Sequence, residues 1–194
     1  MLVTVLRSVR FTLVFALVLG ILYPLFVTLI GQTIFPYQAN GSLVTWQGKP
    51  IGSMLIAQAN TSPSLFSPRP SAVDYAANNS GATNFGPTNP ALFKEVKANL
   101  LAVQKANPGI PVAAIPMDMV ESSASGLDPD ISIANATIQT VRIARVTHIK
   151  RSDLLRLIAQ QEHHSFLGLW GSDYVNVLRL NLALLKKESM RHHG

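Results

Sequence analysis

The 194-residue sequence contains no cysteine. Disulfide scaffolding, thiolate nucleophiles and thiolate metal ligation are therefore excluded, although either redox compartment stays open. Charge is the next scarcity: 13% of residues are Asp, Glu, Lys or Arg, and mean hydropathy is positive at +0.27. Histidine and carboxylate do not cluster at metal-ligand spacing: His148, His163 and His164 stand without a nearby acidic partner set, which gives no metal site. Gly81 to Thr88 has two glycines but no lysine before its threonine, so the phosphate-loop pattern fails. Ser122 to Gly126 supplies hydroxyls without the G-x-S-x-G elbow of a hydrolase. The net charge of +6 and pI near 9.9 raise nucleic acid as a partner. Basic residues are scattered singly, however, and no basic stripe carries interleaved aromatics, so nucleic acid is excluded from the reading. These absences leave a binding or assembly role, with no catalytic residues.

What the sequence does have is one long apolar run. From Phe11 to Phe35 no Asp, Glu, Lys, Arg or His occurs, and Leu19 sits near its middle. As a helix this segment is roughly 37 Å long against about 30 Å of hydrocarbon, so it spans a bilayer with tilt. Gly20 and Pro24 would weaken a soluble helix but are tolerated in membrane helices. A cleaved signal peptide would have a shorter core and a small-x-small site, which Phe35-Pro36-Tyr37-Gln38 does not offer. A buried soluble helix would keep a polar side. Phe11, Leu19, Pro24 and Phe35 therefore mark a membrane anchor over residues 11–35, in contact with lipid. Arg7 and Arg10 precede it, and no basic residue follows until Lys49. The positive-inside rule then keeps residues 1–10 in the cytoplasm and exports residues 36–194, to the periplasm if the cell is bacterial.

Residues 36–194 show no repeat or low-complexity block and are read as one domain. Ser42 to Trp46, a Gly48–Pro50 turn and Ile51 to Gln58 suggest a hairpin. Residues 60–90 are too rich in Asn, Ser, Pro and Gly for a long regular element, and Phe66, Tyr75 and Phe85 offer apolar anchors that argue for order. Asn89-Pro90 reads as N-cap and first helical position, with Leu92, Val96, Leu100 and Val103 at helical spacing and Asn107-Pro108-Gly109 as the stop. Residues 110–120 are strand-like with two proline interruptions. Ser132 caps a helix to about Val146, with Ile133, Ala136, Thr140 and Ala144 on one side. Ser152-Asp153 opens another, with Leu154, Leu155 and Ile158 inward. Tyr174 to Leu180 alternates like a strand, and a short tail follows. Helices and strands mix without regular βαβ alternation, so the fold class is α+β: one transmembrane helix, then one mixed soluble domain.

Several loop segments together carry a resemblance. They are Ala39-Asn-Gly-Ser42, Gly52-Ser53 with Leu55-Ile56 and Gln58, Arg69-Pro70-Ser71, and Ser80-Gly81 with Asn84. Gly86-Pro-Thr-Asn-Pro90, Ser123 to Pro129 with Ile131-Ser132, Gln139 with Arg142-Ile143-Ala144, and Val175-Asn176-Val177-Leu178 with Leu180-Asn181 follow in order. In that order, almost end to end, the chain resembles the C chain of the bacterial Kdp potassium-transporting ATPase. It departs locally at Ala82, where the family often has a second glycine, and at Glu121, where Thr is common.

The resemblance implies a non-catalytic accessory subunit of a high-affinity, ATP-driven potassium uptake pump in the bacterial inner membrane. Implied partners are a channel-like A chain, a P-type ATPase B chain and a tiny F chain. The implied role is assembly, together with a catalytic-chaperone effect that raises the B chain's affinity for ATP. ATP and potassium are handled by the complex, and this chain binds no cofactor tightly. Ser125, Gln139 and Arg142 are the candidates for nucleotide contact. The exported topology puts them across the bilayer from ATP, which favours coupling through the complex. Arg69, Ser71, Asn84, Asn89, Ser123, Gly126, Asp128 and Asn176 are the interface candidates, with Arg69 and Asp128 expected to anchor two motif loops to each other or to the A chain. Their bland reading is cap and turn residues within the domain. The competing function is an anchored periplasmic solute-binding or hydrolytic domain that acts alone through the 60–90 loop.

Overall fold

A computed structural model describes residues 1–165 and 168–192. The chain divides into two compact units, Met1–Pro50 and Ile51–Gly194, which are taken in turn.

The first unit is dominated by a helix running from Leu2 to Ile34, the one helix among the described residues long and apolar enough to cross a membrane. It comprises α1 (Leu2–Leu17), a π-helical turn (Val18–Leu22) and α2 (Tyr23–Ile34). Proline explains the change of register. Pro24 has no N–H to give, and its ring crowds the carbonyl four residues back, at Gly20. The wider turn absorbs this, and the Tyr23 N–H reaches back five residues to the Val18 carbonyl. The helix starts nine residues before Phe11 and so includes Arg7 and Arg10. Ser8 and Thr12 return their hydroxyls to the carbonyls of Thr4 and Ser8 at 3.0 and 2.9 Å, which satisfies these polar groups within the helix itself. Phe35, with φ −127°, ends it. Pro36 disfavours a helical residue before it, then starts the four-residue α3 (Pro36–Ala39).

Strands β1 (Leu43–Trp46) and β2 (Lys49–Ser53) pair as expected. Their turn lies one step earlier than the sequence suggests, at Gln47 and Gly48, which both have positive φ, the geometry a two-residue hairpin requires. β2 stops at Ser53 instead of Gln58. Ser53 Oγ accepts the Leu55 N–H at 3.1 Å, a local side-chain turn that competes with the strand.

In the second unit, residues 54–89 contain no helix or strand. Asn89 then caps α4 (Pro90–Ala106), accepting the Ala91 N–H at 2.9 Å. The stretch 110–120 forms two 3₁₀ turns, Val112–Ala114 and Met117–Met119, not a strand. Pro111 and Pro116 each open one, since proline removes a ladder donor and presets a turn. β3 (Asp130–Ser132) leads into α5 (Ile133–Thr147), with Ser132 as its cap: the hydroxyl accepts the Asn135 N–H at 3.1 Å. α6 (Arg151–Gln161) follows, buries Leu154, Leu157 and Ile158, and leaves Leu155 outward. β4 (Glu162–His163) and β5 (Tyr174–Asn176) complete a three-stranded antiparallel sheet in the order β3-β5-β4. The alternation after Tyr174 is strand for three residues only. Asn176 Oδ1 accepts the Arg179 N–H at 3.1 Å and turns the rest into α7 (Val177–His192). The expected tail is thus helical through His192, and residues 193–194 lie outside the described residues.

α5, α6 and α7 enclose one core with the sheet, built on Ile131, Ile143, Leu154, Val175, Leu180 and Leu184. Phe66, from the irregular segment, is fully buried among them. A buried Phe contributes about 1.5–3 kcal/mol, so the core itself holds down one end of the long loop. Of the other expected anchors, Tyr75 is half-buried and Phe85 is exposed.

Candidate functional site

The motif loops meet. Arg69 Nη1 lies 3.1 Å from Asp128 Oδ2, a half-exposed ion pair. Next to it the Ser123 N–H donates to the Pro70 carbonyl at 3.2 Å, and the Gly81 N–H to the Ser125 carbonyl at 2.9 Å. Ser71 Oγ donates to the Gly126 carbonyl at 2.6 Å and accepts the amides of Val73 and Tyr75. Ser80 Oγ bonds the Ser125 carbonyl at 3.1 Å. Tyr75 closes the same loop from outside, its hydroxyl donating to the Arg69 carbonyl at 2.8 Å. Two irregular segments, 69–81 and 123–128, are thereby laced together without a strand.

Gly126 sits where the two segments come closest. Its φ is +68°, and a Cβ there would stand 2.6 Å from Val73 and 2.8 Å from the Gly81 carbonyl. Only glycine combines that backbone with that approach. Asp128 has two tasks, pairing with Arg69 and accepting the Asp130 N–H at 3.1 Å to start β3. An open groove of about 570 Å³ lies alongside, lined by Leu55, Ile56, Arg69, Ser123, Ser125 and Asp128. The Arg69 Nε that borders it is buried and unpaired among the described groups.

A second network lies under the loop. Gln139 is buried, accepts the Ser67 N–H at 2.8 Å, and donates to the Ser67 carbonyl at 3.0 Å and Asn135 Oδ1 at 2.8 Å. Arg142 is also buried; it donates to Gln139 Oε1 at 2.6 Å and to the Pro63 carbonyl. Burial, with the nearby Arg145 charge, lowers its pKa from the ordinary guanidinium value. Asn181 on α7 grips the next residue along, accepting the Phe66 N–H at 2.7 Å and donating to its carbonyl at 2.9 Å. Asn176 joins three segments by bonding Met54 O and Asp130 Oδ1, both at 3.0 Å. Asn84 is exposed and donates to the Ala82 carbonyl, and Asn89 serves α4. Neither enters either network.

A family model for the c chain of K⁺-transporting ATPases, KdpC, matches residues 5–186. The chain belongs to the KdpC family. The KdpC subunit of a potassium-transporting ATPase from Caldanaerobacter subterraneus is 46% identical over 181 residues, covering 93% of this chain and 94% of that protein. The corresponding subunit of Polaromonas naphthalenivorans is 48% identical over 174 residues, 88% of each, and that of Bacillus cereus 43% over 179 residues, 92% and 93%. This is a non-catalytic subunit of the Kdp potassium-transporting ATPase complex, with one N-terminal membrane helix.

Within this KdpC fold the three nucleotide candidates do not share a site. Gln139 and Arg142 face inward onto Pro63 and Ser67, whereas Ser125 lines the open groove and its Oγ accepts the Leu127 N–H at 3.1 Å. Sequence reasoning missed Asp118, which accepts from the Ser132 amide and hydroxyl and from Asn135 Nδ2 at 2.8–3.0 Å, and it missed the tether role of Asn181. Neither has a local signature, because the partners lie 14 and 115 residues away. His163 lies in β4 and His164 just after it.

Proposed function

We propose that the domain lies outside the cytoplasmic membrane and acts as a rigid docking piece for the channel-like A chain, the P-type B chain and the small F chain of the Kdp complex. Its contribution to ATP affinity is then indirect, through a correctly assembled pump. The observation that carries this reading is the inward engagement of Gln139 and Arg142. Their polar groups hold the loop at residues 63–67, so a nucleotide would have to displace buried hydrogen bonds worth about 1–3 kcal/mol each. Flanking charge supports the outside location, with Arg7 and Arg10 before the apolar run and none within it. The laced motif loops support docking, because a preformed surface avoids the ordering cost of association.

The test is to purify the complex carrying Gln139→Ala or Arg69→Ala, measuring both subunit recovery and the KM for ATP. The proposal expects lower recovery of intact complex and an unchanged KM in the fraction that assembles. Full assembly with a raised KM would mean that this chain touches ATP directly.

A further inference from the structure

β4 and β5 run antiparallel, with Glu162 opposite Val175 and His163 opposite Tyr174. Side chains alternate between the faces of a strand, so Glu162 and His164 share one face. Continuing the register sets Asp173 opposite His164 on that same face. His163 and Tyr174 take the other, where their rings stack with centroids 5.1 Å apart. The result puts an imidazole between two carboxylates. His164 Nδ1 lies 3.7 Å from Glu162 Oε1 and 3.9 Å from Asp173 Oδ1, and all three ligand atoms lie within 4.8 Å of one another.

We propose that Glu162, His164 and Asp173 form a divalent transition-metal site of one nitrogen and two oxygen ligands. Zinc bonds such atoms at about 2.0–2.2 Å, which sets neighbouring ligand atoms about 3–3.5 Å apart. The two separations from His164 Nδ1, 3.7 and 3.9 Å, therefore need to close by only a few tenths of an ångström. Imidazole with carboxylate suits zinc, cobalt or manganese and not a thiophilic ion. Asp173 Oδ1 also accepts the Ser165 N–H at 2.8 Å, an outer contact of the kind that orients a ligating carboxylate. Among the described residues, His164 is the ion partner of both Glu162 and Asp173. Two like charges on one face repel unless a cation stands between them. A metal there pins the end of β4 to the start of β5, on the opposite face of the sheet edge from the His163–Tyr174 stack.

The full-length chain, purified in detergent and stripped with a chelator, is titrated with Zn²⁺ by calorimetry. One saturable site per chain is expected, weakened at least about tenfold by His164→Ala and by Asp173→Asn. Thermal melts without zinc check that each variant folds, and the near-isosteric Glu162→Gln carries the same expectation if one does not. His148, His163 and the terminal histidines are intact in all three variants, so affinity that survives unchanged belongs to them and overturns the assignment. No saturable binding up to millimolar zinc also overturns it and leaves His164 as a simple ion-pair partner.

Discussion

Asp130 is the residue whose chemistry depends most on where the fold has put it. Half-buried on β3, it accepts a hydrogen bond from Asn176 at 3.0 Å. Burial raises its pKa above the ordinary 3.8, the Asp128 charge adds to this, and Asn176, His163 and Arg179 oppose it. A carboxyl with a folded pKa above its unfolded one binds its proton more tightly in the native state. Its stabilising contribution is complete below the unfolded value and is lost as pH rises through the folded value. Asp130→Asn keeps an acceptor for Asn176 and removes the charge. The variant should therefore gain stability relative to wild type as pH rises from about 3 to about 7. Thermal melts across that range check this, and a difference independent of pH would contradict it. The residues read most easily from sequence were those that act locally, such as Asn89 and Ser132 capping the helices they precede. Asp118 and Asn181 do comparable work at a distance, and no spacing rule reaches across 14 or 115 residues.

The unusual element is the long segment without helix or strand, and its order comes from side chains standing in for a ladder. Gln139 on α5 and Asn181 on α7 each present one amide to a backbone N–H and C=O pair, at Ser67 and Phe66. A primary amide copies the donor–acceptor pattern of a neighbouring strand, so residues 66 and 67 are satisfied without one. Asn181→Ala would leave the Phe66 N–H without its buried partner, while the carbonyl keeps Asn60 Nδ2 at 2.9 Å, at a cost of about 1–3 kcal/mol. Hydrogen exchange should then rise at Phe66 and Ser67 while the amides of α5 keep their protection. Equal loosening of α5 would mean that the tether belongs to the core and not to the loop. The sequence showed that residues 60–90 are irregular and offered Phe66, Tyr75 and Phe85 as anchors, because composition and aromatics are visible locally; of the three, Phe66 is the one the core buries and Phe85 is exposed. It misplaced the ends of β2 and β5. There Ser53 and Asn176 use side-chain turns to stop strands that periodicity alone would continue.

For the whole molecule, the apolar helix and the family were legible, since both are written along the chain. The pairing of Arg69 with Asp128 was one of the two anchorings that the motif loops suggested, whereas the meeting of Glu162 with Asp173 depended on tertiary folding. Topology is what everything functional rests on. With two arginines before the membrane segment and none within it, the domain is expected outside, and the absence of cysteine makes this directly measurable. Asn78 is exposed in the long loop, so Asn78→Cys gives the chain a single thiol. A membrane-impermeant maleimide applied to intact spheroplasts should label it fully, with no further labelling after lysis. A thiol that reacts only once the spheroplasts are lysed would place the domain in the cytoplasm, beside ATP, and the docking account would fall.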